Sequence, residues 1–257
     1  MAHNSIRALL EDRDGRVWVG LANAGINRLD PLTGEFTRYR FAGDDPTTQG
    51  ANRVETLLQD SSGVIWAGTA GGGLLRYDPE KDEFERLLIR TDGEDLDKFN
   101  SVYSLLENDD GTLWAGTAKG LYTFDPTAET AVPFFSPEEQ TDTAVNVLSR
   151  DKDGKLWIGT DKNGLLRLDP RSRQLKVFPP GENFPAVKSE KGISSLLFDH
   201  SGVLWVGTWG GGLCRLPAPS TWEDPAAAPF ECFQNQISQP ESLGSSTVTT
   251  LYEDRAG

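Results

Sequence analysis

Few residues in this 257-residue chain have the type and spacing to do covalent chemistry. Ser149-Arg-Asp-Lys152 has the Ser-x-x-Lys spacing of an acylating serine with a nearby lysine. It falls where a strand runs into a turn, on positions of a sequence repeat, so the match reads as coincidence. Asp12-Arg-Asp-Gly15 begins like a calcium loop, but Asp14 becomes Ser62 and Ser201 in the equivalent turns and the closing glutamate is missing. No Gly-x-Ser-x-Gly, His-Glu-x-x-His or Gly-rich phosphate loop ahead of a helix occurs. Without a nucleophile, a base and an orienting group together, the expectation is no catalytic site, no metal and no cofactor.

Binding chemistry is better represented. Trp209 breaks a repeat whose equivalent residues, Ala22, Ala70, Ala118 and Asp161, are small or polar. An exposed indole with Asn and Asp nearby suits the apolar face and the hydroxyls of a sugar. A rim tryptophan packed on the next linker is the structural alternative. The same set of loops offers Asn23, Lys119, Asp161 and Asn163. Arg53 and Asn100 lead into strands and either hydrogen-bond a ligand or satisfy linker carbonyls.

The elements that must carry these residues are set by a repeat. Asp12-Arg-Asp-Gly-Arg-Val-Trp-Val-Gly20 recurs as Asp60 to Gly68, Asn108 to Gly116, Asp151 to Gly159 and Asp199 to Gly207. The tryptophans Trp18, Trp66, Trp114, Trp157 and Trp205 are spaced by 48, 48, 43 and 48 residues. Periods of this size point to a propeller or a solenoid. Within the first copy, Ile6 to Glu11, Val17 to Val19, Ile26 to Leu29 and Phe36 to Phe41 are short apolar or alternating runs separated by Gly, Pro and Asp. They read as four strands, a to d, and recur in every copy. Four antiparallel strands per repeat, without helical periodicity, is the content of a propeller blade. Asp at the start and Gly at the end of Asp12-Arg-Asp-Gly15 suit a turn whose glycine takes positive φ. The tryptophan three residues on is expected to fill the wedge between blades.

The predicted fold is therefore all-β, a β-propeller of four-stranded antiparallel blades forming one domain. Its blades span approximately 4–42, 52–90, 100–136, 144–179 and 192–234, and 247–257 begins a sixth. One strand a more than five blades need suggests an open arc of a larger wheel, whose uncovered blade faces would favour self-association.

Composition narrows the partners. There are 39 acidic against 25 basic residues, a net charge of -14. Such a surface repels phosphate backbones, which argues against nucleic acid and anionic lipid. No run of about 18 apolar residues occurs, and the N-terminus lacks the regions of a signal peptide. Cys214 and Cys232 read as two buried thiols acting as small apolar residues rather than a disulfide.

Glu11-Asp-Arg-Asp-Gly-Arg-Val-Trp-Val-Gly20, Gly71-Gly-Gly-Leu-Leu-Arg-Tyr-Asp-Pro79 and Gly164-Leu-Leu-Arg-Leu-Asp-Pro170 closely resemble the two-component regulator propeller repeat. The stretch from Gln239 to Asp254 is similar to that family's link between blades. The resemblance implies a seven-bladed propeller in the extracytoplasmic, periplasmic sensor region of a membrane-bound hybrid histidine kinase, or of a diguanylate cyclase. It further implies that the chain senses an oligosaccharide or other small polar ligand. Expected partners are that ligand, the missing blades and downstream signalling domains of the same polypeptide, and a second copy in a homodimer. A structural or protein-docking propeller is the alternative. Streptogramin lyases also resemble the chain in their repeats but rely on histidines, and only His3 and His200 occur. The sialidase box is one residue too short for the Asp12 to Gly15 spacing.

The chain departs from the family's repeat in the fifth blade, where Leu216-Pro217 replaces Leu-Asp-Pro and an Ala/Pro-rich insert follows through Pro229. The insert is expected to lengthen the outer c-to-d turn. If strand a is innermost, the b-to-c turns share a face with the links between blades. Those links, 43–53, 91–100, 136–143, 179–192 and 235–246, vary most, and variable loops on a rigid scaffold are where binding residues concentrate.

Overall fold

The structure, a computed structural model, describes residues 5–87, 100–135, 143–181, 184, 192–217, 222, 225 and 228–254. The first sheet contains β1 (Ile6–Glu11), β2 (Val17–Leu21), β3 (Ile26–Leu29) and β4 (Phe36–Tyr39). The second has β5 (Val54–Gln59), β6 (Ile65–Thr69), β7 (Leu74–Asp78) and β8 (Glu83–Leu87), and the third β9 (Val102–Glu107), β10 (Leu113–Thr117), β11 (Gly120–Asp125) and β12 (Thr130–Pro133). The fourth comprises β13 (Val145–Arg150), β14 (Leu156–Thr160), β15 (Leu165–Leu168) and β16 (Leu175–Phe178), and the fifth β17 (Ile193–Phe198), β18 (Leu204–Thr208), β19 (Leu213–Leu216) and β20 (Glu231–Phe233). Each is a four-stranded antiparallel meander in chain order. The chain divides into two compact units, 1–142 with three sheets and 143–257 with two.

Within the first unit β1 lies against β5 and β5 against β9; within the second β13 lies against β17. Strand a of one blade thus lies against strand a of the next within each unit. The closeness of that contact explains the second half of the repeat motif. A Cβ on Gly20 would stand 2.6 Å from Val54 Cγ1, one on Gly68 2.8 Å from Val102 Cγ1, and one on Gly159 2.6 Å from Ile193 Cγ2. Only glycine leaves room for the next blade's first strand residue. A second contact recurs: the amides of Arg13, Ser61 and His200, each in an a-to-b turn, donate to Gln59, Glu107 and Glu253.

The first half of the motif does two jobs. In four blades the aspartate's Oδ1 accepts turn amides, while its Oδ2 accepts the indole N–H: Trp18 from Asp12 at 2.8 Å, Trp66 from Asp60 at 2.7 Å, Trp157 from Asp151 at 3.0 Å and Trp205 from Asp199 at 2.8 Å. The turn glycines Gly15, Gly63, Gly111, Gly154 and Gly202 all take φ between 77° and 94°. Each donates its N–H back to the carbonyl of the turn's first residue.

Blade three is the exception. Asn108 stands where the others have aspartate, and Trp114 Nε1 is buried with no acceptor among the described residues. An amide has one oxygen, and Asn108 Oδ1 is engaged by the Asp109 amide. Asn108→Asp is therefore expected to stabilise the chain by about 1–3 kcal/mol, the cost of an unmet buried donor. Urea denaturation followed by tryptophan fluorescence tests it, and unchanged stability would refute the assignment.

The wedge role is borne out for Trp18, Trp66 and Trp157. Trp18 packs on Tyr77 and Phe84 of the following blade, with ring centroids 4.8 and 5.7 Å away, and Trp66 on Phe124 at 5.6 Å. Trp18, Trp66, Trp114 and Trp157 are buried; Trp205 is half-buried.

The structure differs from the sequence expectations in four places. A short helix, α1 (Pro46–Ala51), occupies the link after the first blade, with the Asp45 side chain capping Thr48 N–H. Six residues are too few to show a helical period, although Asp45-Pro46 is a readable start signal. Residues 247–254 do not form a strand: Thr247 makes an isolated bridge to Trp209, and Val248 N–H donates to Thr208. Strand a of every blade is held by a ladder to its own strand b, and here no such partner lies among the described residues. Cys214 and Cys232 form a disulfide, correcting the expectation of two thiols. They are direct partners across β19 and β20, with Cα atoms 4.0 Å apart, a register the sequence did not reveal. The insert between β19 and β20 does lengthen the c-to-d turn, but it also delivers Trp222 into the core. Trp222 is 1 % exposed, 5.1 Å from the Trp157 ring, and donates to the Pro217 carbonyl at 2.8 Å.

Candidate functional site

In blades two to five the b-to-c turn is stapled by the threonine that ends strand b; in the first blade Leu21 stands there. Thr69, Thr117, Thr160 and Thr208 donate Oγ1 to the carbonyls of Gly73, Gly120, Gly164 and Gly212, at 2.7 to 3.0 Å. The same oxygens accept the amides of Gly72, Lys119 and Asn163. Residues just ahead of the next strand a complete the lock. The Asn52 carbonyl accepts Gly25 N–H, Asn100 accepts Gly71 and Gly73, and Ser246 accepts Gly210 and Gly212. The turns are therefore rigid platforms on the face that also bears the links.

On these platforms the seven candidates are placed very differently. Asn100 is fully buried and its carbonyl is committed to two glycine amides, the linker role. In the first unit, Asn23 and Arg53 are exposed and line one groove, and Lys119 is half-buried. In the second unit, Asp161 accepts Ala144 N–H at 3.0 Å, and Asn163 donates to Thr143 Oγ1 at 2.8 Å. Burial raises the Asp161 carboxyl above its ordinary value, with Lys162 opposing the shift. Trp209 is half-buried, its amide on the Gly192 carbonyl and its backbone bridged to Thr247. It therefore meets the next link through its backbone.

The groove has a volume of 780 Å³ and is lined by Asn23, Arg40, Phe41, Asp44, Gln49 and Arg53, with Asn52 in its wall. Asn52 fixes its shape: its side chain accepts Phe41 N–H at 3.0 Å and donates to the carbonyls of Phe41 at 2.8 Å and Thr48 at 3.2 Å. That clasp joins the end of β4 to the start of β5, so Arg40 and Arg53 flank one fixed junction. Sequence reasoning found Asn23 and Arg53 but missed Arg40, Phe41 and Gln49. The signal available was a basic and an aromatic residue at the mouth of a variable link. A second depression, of 490 Å³, lies in the other unit beside Trp205, Phe233, Gln234 and Leu243.

Among the described residues no cluster of His, Cys, Asp and Glu is arranged to hold a metal, and no helix is long and apolar enough to cross a membrane. His200 pairs with Glu253, whose carboxylate raises the imidazole's pKa.

Four-stranded antiparallel meanders lying strand a against strand a within each unit, with buried tryptophans packed on the following blade, define a β-propeller repeat protein. The model of the two component regulator propeller matches residues 1–23, 98–119, 139–162 and 188–210. No curated protein matches it. Among solved structures, the extracellular domain of a protein described as the one component system BT4673 from B. thetaiotaomicron is similar at TM-score 0.73 and 21% identity, over 97% of this chain and 30% of that one. The extracellular domain of a B. thetaiotaomicron protein described as the hybrid two component system BT3049 is similar at TM-score 0.71 and 16% identity, over 99% and 38%. Virginiamycin B lyase from Staphylococcus aureus is similar at TM-score 0.65 and 17% identity, over 90% and 70%. At these identities the likeness shows the fold. The chain spans about a third of the length of the two sensor domains it matches.

Proposed function

We propose that this chain is part of the ligand-sensing propeller region of a two-component signal-transduction sensor, placed outside the cytoplasm. In this role it binds an oligosaccharide or another small polar ligand on the face formed by the b-to-c turns and the links. The observation that carries the reading is the polar groove on that face, where Asn23 stands in a turn held by the Asn52 carbonyl and Arg53 is fixed by its backbone bonds to Gly50 and Ala70. The repeat family and the likeness to extracellular sensor domains support it.

Binding without catalysis is part of the proposal. His200 sits in an a-to-b turn, away from the variable face, and is engaged by Glu253. Ligand binding would act by changing the packing of this chain against further blades or a second copy, biasing a kinase or cyclase across the membrane.

The test is an oligosaccharide array probed with the 257-residue chain, followed by calorimetry on a bound glycan. Asn23→Ala is expected to weaken that binding by about tenfold. Unchanged affinity would remove Asn23 from the site, and silence across the array would overturn the saccharide reading.

A further inference from the structure

We infer that the groove beside the first blade selects an acidic saccharide, one bearing a carboxylate or a sulfate, with Arg40 and Arg53 holding the anion. The inference rests on the saccharide-binding reading above and adds the chemical class of the ligand.

Charge is the first argument. The chain carries a net charge of -14, so a groove lined by two guanidinium groups and one carboxylate, Asp44, runs against its surface. Electrostatic attraction of a ligand anion is local here rather than a property of the whole molecule.

Availability is the second. Arg7, Arg16, Arg28, Arg76, Arg167 and Arg215 each pair with an acidic side chain. Arg13 is spent on the carbonyls of Asp60 and Ser61, and Arg86 on the hydroxyls of Thr47 and Thr48. Arg40 and Arg53 are exposed, and neither makes an ion pair among the described residues. Glu55, on β5, pairs with Arg7; burial raises its pKa, and Arg7 and Arg53 oppose that shift. The guanidinium is the side chain best matched to a planar carboxylate or a sulfate, because its donors form a fixed fork.

Preorganisation is the third. The Asn52 clasp on Phe41 sets the backbone next to both arginines, and Arg53 is held further by its amide on Gly50 and its carbonyl on Ala70 N–H. Two cations lining one groove with a single carboxylate, Asp44, leave a net positive charge that a bound anion neutralises. Around them, half-buried Phe41 offers an apolar surface to a sugar ring, and Asn23, Gln49 and Asp44 offer partners for its hydroxyls. A volume of 780 Å³ suits a short oligosaccharide rather than a single ion.

The experiment probes the full chain on an array holding uronate-bearing, sulfate-bearing and neutral glycans, with an Arg40→Gln, Arg53→Gln double variant beside it. Both side chains are exposed, so the variant is expected to keep its unfolding midpoint, which is measured alongside. The expected result is binding confined to acidic glycans, weakened by about 100-fold in the double variant, or tenfold per lost charged contact, and falling with added salt. The uronate and sulfate arms then show which anion is preferred. Neutral glycans bound as tightly, or acidic glycans bound equally by the variant, would overturn the acidic-ligand inference while leaving the saccharide reading intact. An array silent in every arm would overturn both.

Discussion

Asp151→Ala is expected to destabilise the second unit by about 3–5 kcal/mol, the range for breaking one partner out of a buried ion pair. The Asp151 side chain is 1 % exposed and accepts the amides of Asp153 and Lys155, the Trp157 indole, and Arg167 through Nε at 3.1 Å and Nη2 at 3.0 Å. Arg167, whose side chain is 11 % exposed, lies over the rings of Trp157 and Trp222. Removing the carboxylate leaves a buried guanidinium without this counter-charge. Asp60 provides the comparison, since its carboxylate makes the turn and indole bonds but meets no arginine among the described residues. Asp60→Ala should cost only about 1–3 kcal/mol. Equal losses in the two variants, measured by urea denaturation, would show that the arginine contributes nothing and the turn everything.

Trp222→Ala carries the other large effect, about 3–5 kcal/mol for a fully buried tryptophan. Trp222 covers Trp157 and lies 5.9 Å from the Phe198 ring, in a core that also contains Phe178. In the first unit the equivalent cover over Trp18 comes from Tyr77 on strand c and Phe84 on strand d of the following blade. In blade five the strand d position is supplied from within the insert. A loss below about 1 kcal/mol, the range of surface substitutions, would reduce the insert to a lengthened turn.

The fold was legible because its signals are local and repeated. The turn with its closing glycine, the apolar runs and the tryptophan three residues on each recur five times, so a chance reading of one copy is corrected by the others. The candidate site was less legible for the same reason: a repeat reveals its exceptions, and Trp209 stood out, but a groove is made by residues that share no motif. Arg40 and Arg53 are 13 positions apart and meet at one junction only because Asn52 bonds back to Phe41. Asn100, by contrast, had the right chemistry and the right approximate place, and burial removed it from the surface.

From the amino-acid order alone follow the class of fold, the number of four-stranded modules, the turn glycines and the wedge tryptophans, because each depends on contacts within a few residues or on a pattern repeated along the chain. Only the folded chain decides that the motif aspartate also holds the indole, that Trp114 is left without an acceptor, that Cys214 faces Cys232 and that an insert buries Trp222. Those outcomes depend on strand register and on how one blade meets the next. A change of one residue in register turns every side chain to the opposite face of its sheet, and no local pattern records which residue of a distant segment then lies across from it.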